Sequence, residues 1–158
     1  MAGSFQGNLW RGRFFRYAPL LLWIVVIFLL SSDIGTKSNT SRFVRPLLIW
    51  LFPDITEPSI QTVHYWVRKA AHFTEYGVLA LLGARALANS SRPLLKNWRY
   101  QLSFVLVVLV SLADEAFQSF INDRTATVYD SLLDCAGGLT MLLALYMFRK
   151  RIFRQLEV

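Results

Sequence analysis

Carboxylates, a histidine and a few cations recur at helical spacing inside otherwise apolar stretches of this chain. Lys69, His72 and Tyr76 are three and four positions apart, so on a helix they share one face, with Glu75 on its flank. Asp114 and Gln118 are four apart, as are Asp130 and Asp134. A carboxylate facing hydrocarbon costs on the order of 3 kcal/mol even on insertion scales, so these groups are expected to face one another. His72, with an unperturbed pKa of about 6.5, could be a general acid or base, or could simply fix helix register by a hydrogen bond to Glu75 or Asp114. A divalent-metal site from His72, Glu75, Asp114 and Asp134 would use suitable ligand types. No close motif of the His-Glu-x-x-His kind supports it and nearby Lys and Arg compete, so no metal and no cofactor are expected.

Asp114 and Glu115 are adjacent and point about 100° apart on a helix, so only one can enter the cluster beside Gln118. The other can pair with Arg124 or Lys69 at the rim. Arg124, in the short segment Asn122-Asp123-Arg124-Thr125, could clamp a phosphate or carboxylate through its bidentate fork, or snorkel as a rim cap.

Positioning these groups takes helices long enough to cross a bilayer, about 20 apolar residues each. Four segments answer: about 14–30, 69–88, 102–121 and 128–148. The second is the least apolar, with Lys69, His72, Glu75 and Arg85, and Thr56-Glu57-Pro58 is a plausible earlier start for it. Between the first two spans, the polar stretch from Ser31 to Ser41 reads as irregular. Phe43 to Phe52 is too short to span and reads as a helix in the membrane interface. Glu75, Asp114 and Asp134 each fall six residues, roughly 9 Å, inside the outer end of their helix, which predicts one shared level. Ala113, Ala116, Gly83, Gly137 and Gly138 are expected to let the helices approach closely.

Composition agrees with lipid as the solvent. The 158 residues are 54% apolar and only 17% charged, and a single domain this short cannot bury every apolar face. The net charge of +7 sits in short groups beside apolar runs, a pattern of juxtamembrane charge rather than a nucleic-acid face. Arg11, Arg13 and Arg16 before the first apolar run, with no Ala-x-Ala-like site after it, predict an uncleaved signal anchor. With Arg85, Arg92, Lys96, Arg99 and the tail Arg149-Lys150-Arg151 on the same side, both termini are expected in the cytoplasm. The lone Cys135 allows no internal disulfide and reads as a packing residue.

The segment Arg68-Lys69-Ala-Ala-His72-Phe73-Thr-Glu75-Tyr76-Gly-Val-Leu79, then Asp114-Glu115-Ala-Phe-Gln118, then Arg124, Asp130 and Gly137-Gly138, resembles the ordered motifs of the VanZ-like membrane proteins. Ser31 and Ser32 after the first helix match the same pattern, so the resemblance covers most of the chain. It implies a four-helix membrane protein related to one associated with lowered susceptibility to the glycopeptide antibiotic teicoplanin. The chain departs from the family pattern at Asp134, where Asn is usual; a carboxylate there makes a bound anion less welcome.

The expectation is therefore one all-α transmembrane domain over residues 1–158, a four-helix bundle with an interfacial helix in the first outer loop, in the cell membrane. Its partners are membrane lipids and a lipid-linked or glycopeptide-like ligand, held near the outer leaflet by Arg68, Lys69, His72, Glu75, Tyr76, Asp114, Glu115, Gln118, Arg124, Asp130 and Asp134. An enzyme acting on an envelope lipid through His72 with Glu75, Asp114 or Glu115 is the alternative. A proton-coupled transporter using the same acids is a third reading.

Overall fold

Three apolar runs fold as helices of bilayer length in the computed structural model, which describes residues 3–32, 37–119 and 128–156, with side chains over 14–32, 44–119 and 129–150. The helices are α1 Gly3–Ser31, α2 Lys37–Leu51, α3 Glu57–Ala88, α4 Pro93–Asn97, α5 Arg99–Gln118 and α6 Val128–Leu156. Segments Phe14–Ser31, Arg99–Gln118 and Tyr129–Lys150 are long and apolar enough to cross a membrane. At 1.5 Å per residue they measure about 27 to 33 Å, close to the hydrocarbon thickness.

The distribution of side chains is inverted relative to a water-soluble bundle. Leu21, Leu22, Val25, Leu109, Leu112, Leu132, Leu143 and Met147 are exposed, while Ser31, Ser103, Ser111, Asp114, Gln118, Ser131 and Asp134 are buried. In water such contiguous apolar surface would drive association; against acyl chains it is the matching surface, and the polar groups are the ones that must turn inward.

α3 holds the bundle together, touching each of the other five helices. Its 32 residues extend about 48 Å. Thr56 is its extended N-cap, Glu57 favours the positive helix start, and Pro58 occupies the first turn, where a missing N–H costs nothing. Apart from Ile60 near its start, its buried residues, Tyr76, Gly77, Leu79, Ala80, Gly83, Ala84 and Ala86, lie in the C-terminal half. There they meet Leu20 and Ile27 of α1, Val107 and Val110 of α5 and Leu142 of α6. Trp23 Nε1 donates to the Glu75 carbonyl at 2.9 Å, fastening α1 to α3 at mid-height.

The second helix starts at Glu57, the earlier start that Thr56-Glu57-Pro58 offers, whereas other boundaries differ from the sequence expectation. The third helix, expected to run to about 121, closes at Gln118, where the Ser119 N–H returns to the Glu115 carbonyl. Lys37 to Ser41, expected to be irregular, continue helix α2 upstream of its apolar segment. The weak helix propensity of Ser, Asn and Thr is small enough for an adjoining helix to override. Ala113 and Ala116 do not line a helix seam but are exposed, because Ser111, Asp114, Glu115 and Gln118 take the inward face of α5. The short helix α4, opened by Pro93, was not anticipated from the sequence.

Candidate functional site

On α5, Ser111, Asp114 and Gln118 follow one another at three and four positions and form a buried polar stripe. On α6, Ser131 and Asp134 are buried one turn apart, and on α3 the line Lys69, His72, Tyr76 turns toward them. Three helices thus direct polar groups into the interior, and α1 adds a fourth contribution from its last residue.

Asp114 is fully buried, and its Oδ2 accepts from the Ser31 hydroxyl at 2.8 Å, the Tyr76 hydroxyl at 3.2 Å and Gln118 Nε2 at 2.8 Å. Gln118 Nε2 also reaches Ser31 Oγ at 3.3 Å, closing a small network. Asp134, 1% exposed, accepts from Ser111 Oγ at 2.9 Å through Oδ2. Its other oxygen lies 3.4 Å from His72 Nδ1, an ion-pair distance whose alignment makes no hydrogen bond. Asp114 Oδ1, Asp134 Oδ1 and His72 Nδ1 are therefore three buried polar atoms without a hydrogen-bond partner among the described residues. Buried polar atoms of this kind are uncommon and call for a bound group or water.

Next to this interior, the Lys69 ammonium pairs with Asp130, and the same ammonium lies 5.2 Å from the Tyr65 ring centre. Lys69–Asp130 and His72–Asp134 are successive rungs of one α3–α6 ladder, three residues apart on α3 and four on α6. Their side chains keep 22% and 26% exposure in the first rung and 18% for His72 in the second, so the interior opens along these rungs. Lys69→Ala strands the partly buried Asp130 carboxylate and is expected to cost about 1 to 2 kcal/mol. Replacing both partners, Lys69→Met with Asp130→Leu, should recover most of that loss in a denaturant titration of the detergent-solubilised protein.

The structure thus brings these residues together as three neighbouring sets: Lys69 with Asp130, His72 with Asp134, and Tyr76 and Gln118 with Asp114. Glu75 is half-buried, one turn from His72 on α3. Glu115 is buried on α5, and Arg68 is half-buried next to Lys69. The segment with Arg124 lies outside the described residues. The carboxylate facing His72 Nδ1 is Asp134, whereas the sequence had suggested Glu75 or Asp114. Among the described residues no group of three His, Cys, Asp or Glu is arranged to hold a metal ion.

Sequence reasoning passed over Ser111, although its position three residues before Asp114 puts it on the same helix stripe. It also gave Ser31 no role toward Asp114, from which it is 83 residues distant, and gave Trp23 no partner. No local signal in the sequence encodes either contact.

An apolar exterior around a carboxylate-rich interior defines an all-helical membrane protein with a polar intramembrane site. The family model described as VanZ/LLP1 matches residues 15–149, and the chain belongs to that family. No curated protein and no solved structure matches the chain.

Proposed function

We propose that the chain is a membrane-embedded binding protein of the cell envelope that holds a lipid-linked or glycopeptide-like ligand at its polar site. In this reading residues 1–158 form one domain with four spans, α3 being the fourth beside the three apolar helices. Both termini are cytoplasmic, since Arg85, Arg92, Lys96 and Arg99 share a side with the basic ends. The site then faces the outer leaflet, and α2, with Leu47, Ile49 and Trp50 exposed and Arg45 paired to Glu57, lies in the interface above it.

The observation that carries this reading is the half-exposed Lys69–Asp130 rung beside a buried interior whose polar atoms are incompletely satisfied. Intramembrane ionisable groups of this density mark functional sites far more often than scaffolding. Lys69 and Arg124 meet acidic groups of the ligand, and Asp130 holds Lys69 in place. A role in lowered susceptibility to teicoplanin belongs to the same reading.

The test is retention. Lipids and glycopeptide that co-purify with the full chain in mild detergent are quantified by mass spectrometry, for the parent and for Lys69→Ala and Arg124→Ala. Loss of about tenfold or more in a bound species is expected from each variant, the scale of a charge-assisted hydrogen bond. Retention equal to the parent in both variants would rule the binding site out.

A second reading is favoured by the placement of Asp134 behind His72, the arrangement of a base and its orienting carboxylate. An enzyme acting on an envelope lipid would then lose turnover in His72→Ala while keeping its fold; unchanged turnover removes His72 as the proton shuttle.

A further inference from the structure

We propose that the buried floor of the site takes a primary ammonium group, presented by a phosphoethanolamine-type headgroup whose phosphate stays at Lys69. The inference rests on the lipid-binding reading and adds the chemistry and polarity of the ligand.

Among the described residues the interior has more carboxylate acceptors than committed donors. Ionised carboxylates only accept hydrogen bonds; the hydroxyl and amide donors at hand are already committed, and His72 Nδ1 faces Asp134 Oδ1 at 3.4 Å without the alignment of a hydrogen bond. Ser31, Tyr76 and Gln118 all converge on Asp114 Oδ2, and Ser111 is spent on Asp134 Oδ2. Among the described residues Asp114 Oδ1 and Asp134 Oδ1 have no hydrogen-bond partner, in side chains that are 0% and 1% exposed, and Asp134 Oδ1 has only its ion-pair contact with His72. A ligand that satisfies both carboxylate oxygens donates to them, which a phosphodiester or an ionised carboxylate cannot do.

Charge points the same way. Asp114 and Asp134 are buried, and His72, beside Asp134, is the one group facing them that is able to become a cation. The Lys69 ammonium is engaged by Asp130. Low dielectric makes uncompensated negative charge expensive, and a ligand cation offsets it. A primary ammonium carries three N–H donors on a compact centre, whereas a trimethylammonium has none and suits a cage of aromatic faces. Here the walls are carboxylate, hydroxyl and imidazole.

The two-rung ladder sets the direction of entry. Lys69 and His72 are one helical turn apart, about 4.5 Å along α3. That rise is close to the span between the phosphate and the ammonium of an ethanolamine phosphate. With its amine against Asp134 and Asp114, the headgroup brings its phosphate level with Lys69 Nζ, which it shares with Asp130.

The test measures single-lipid binding to the full chain in mild detergent by native mass spectrometry. Lipids of equal acyl chains carry phosphoethanolamine, phosphocholine or phosphoglycerol, and free ethanolamine is added as competitor. The expected result is at least about tenfold tighter binding of the phosphoethanolamine lipid than of the other two. Asp134→Asn should bring the three within about twofold, and Lys69→Ala should weaken all three lipids, since each carries the phosphate. Competition by free ethanolamine at matching concentration keeps the ammonium site and assigns it to a soluble amine. Equal binding of all three headgroups by the parent, weakened by Lys69→Ala, would sink the ammonium inference and leave the lipid-binding reading standing. Binding of none above the detergent background would sink both. Should Asp134→Asn fail to fold, the contrast among headgroups on the parent protein decides alone.

Discussion

Asp114→Ala is expected to lower the unfolding free energy of the detergent-solubilised protein by about 3 kcal/mol or more, from the loss of one acceptor that serves three buried donors. Ser31, Tyr76 and Gln118 come from α1, α3 and α5, and all three end on the same carboxylate oxygen. Removing it strands donors that hydrocarbon cannot hydrate, each at roughly 1 to 3 kcal/mol. Part of the loss is returned, because the mutation also removes a carboxylate that is costly to bury. Gln118 can turn its amide wholly to Ser31 Oγ, which it already approaches at 3.3 Å. Asp114→Asn separates the two effects. The amide keeps an acceptor and drops the charge, so its expected loss is below about 1.5 kcal/mol. Denaturant titrations of the two variants beside the parent provide the check. Asp114→Ala as stable as the parent would mean that the network does not hold α1 in place.

This dependence shows which parts of the site could be read in the sequence. Lys69, His72 and Tyr76 share a face by spacing alone, and so do Asp114 and Gln118, because helical periodicity is a local property. Ionisable residues inside apolar runs also announce that they turn inward, since the alternative is hydrocarbon. What spacing does not give is the partner across the bundle. The pairing of His72 with Asp134 depends on the register of α3 against α6, fixed by packing at glycines rather than by any charge pattern. The Ser31 contact depends on where α1 ends, 83 residues from Asp114. Ala113 and Ala116 show the converse failure. Small size alone marked them for a seam, but a helix has one inward face, and on α5 the polar stripe occupies it. The extended start of α3 was legible as an alternative because Thr56-Glu57-Pro58 carries a capping signal of its own.

The register of α3 and α6 can be broken with one methyl group. A Cβ added at Gly137 would lie 2.2 Å from the Phe73 carbonyl oxygen, 2.9 Å from its carbon and 3.0 Å from its Cα. These are backbone atoms of α3 with no rotamer to yield, so the two helices must separate. Gly77 makes the contrast. A Cβ there meets Met141 Cγ at 2.8 Å, part of a flexible side chain that can swing aside. Gly137→Ala is therefore expected to cost about 3 kcal/mol or more, above the usual range for overpacking, and Gly77→Ala about 1 kcal/mol. The functional consequence follows from position. Gly137 is one turn beyond Asp134 on α6, and Phe73 is next to His72 on α3, so helices pushed apart here also part at His72 and Asp134. A Gly137→Ala protein that still folds should lose headgroup selectivity along with stability, whereas Gly77→Ala should keep both. Unfolding titrations and lipid binding on the same two variants measure this directly. Equal behaviour of the pair would show that the close approach at Gly137 does not set the geometry of the site.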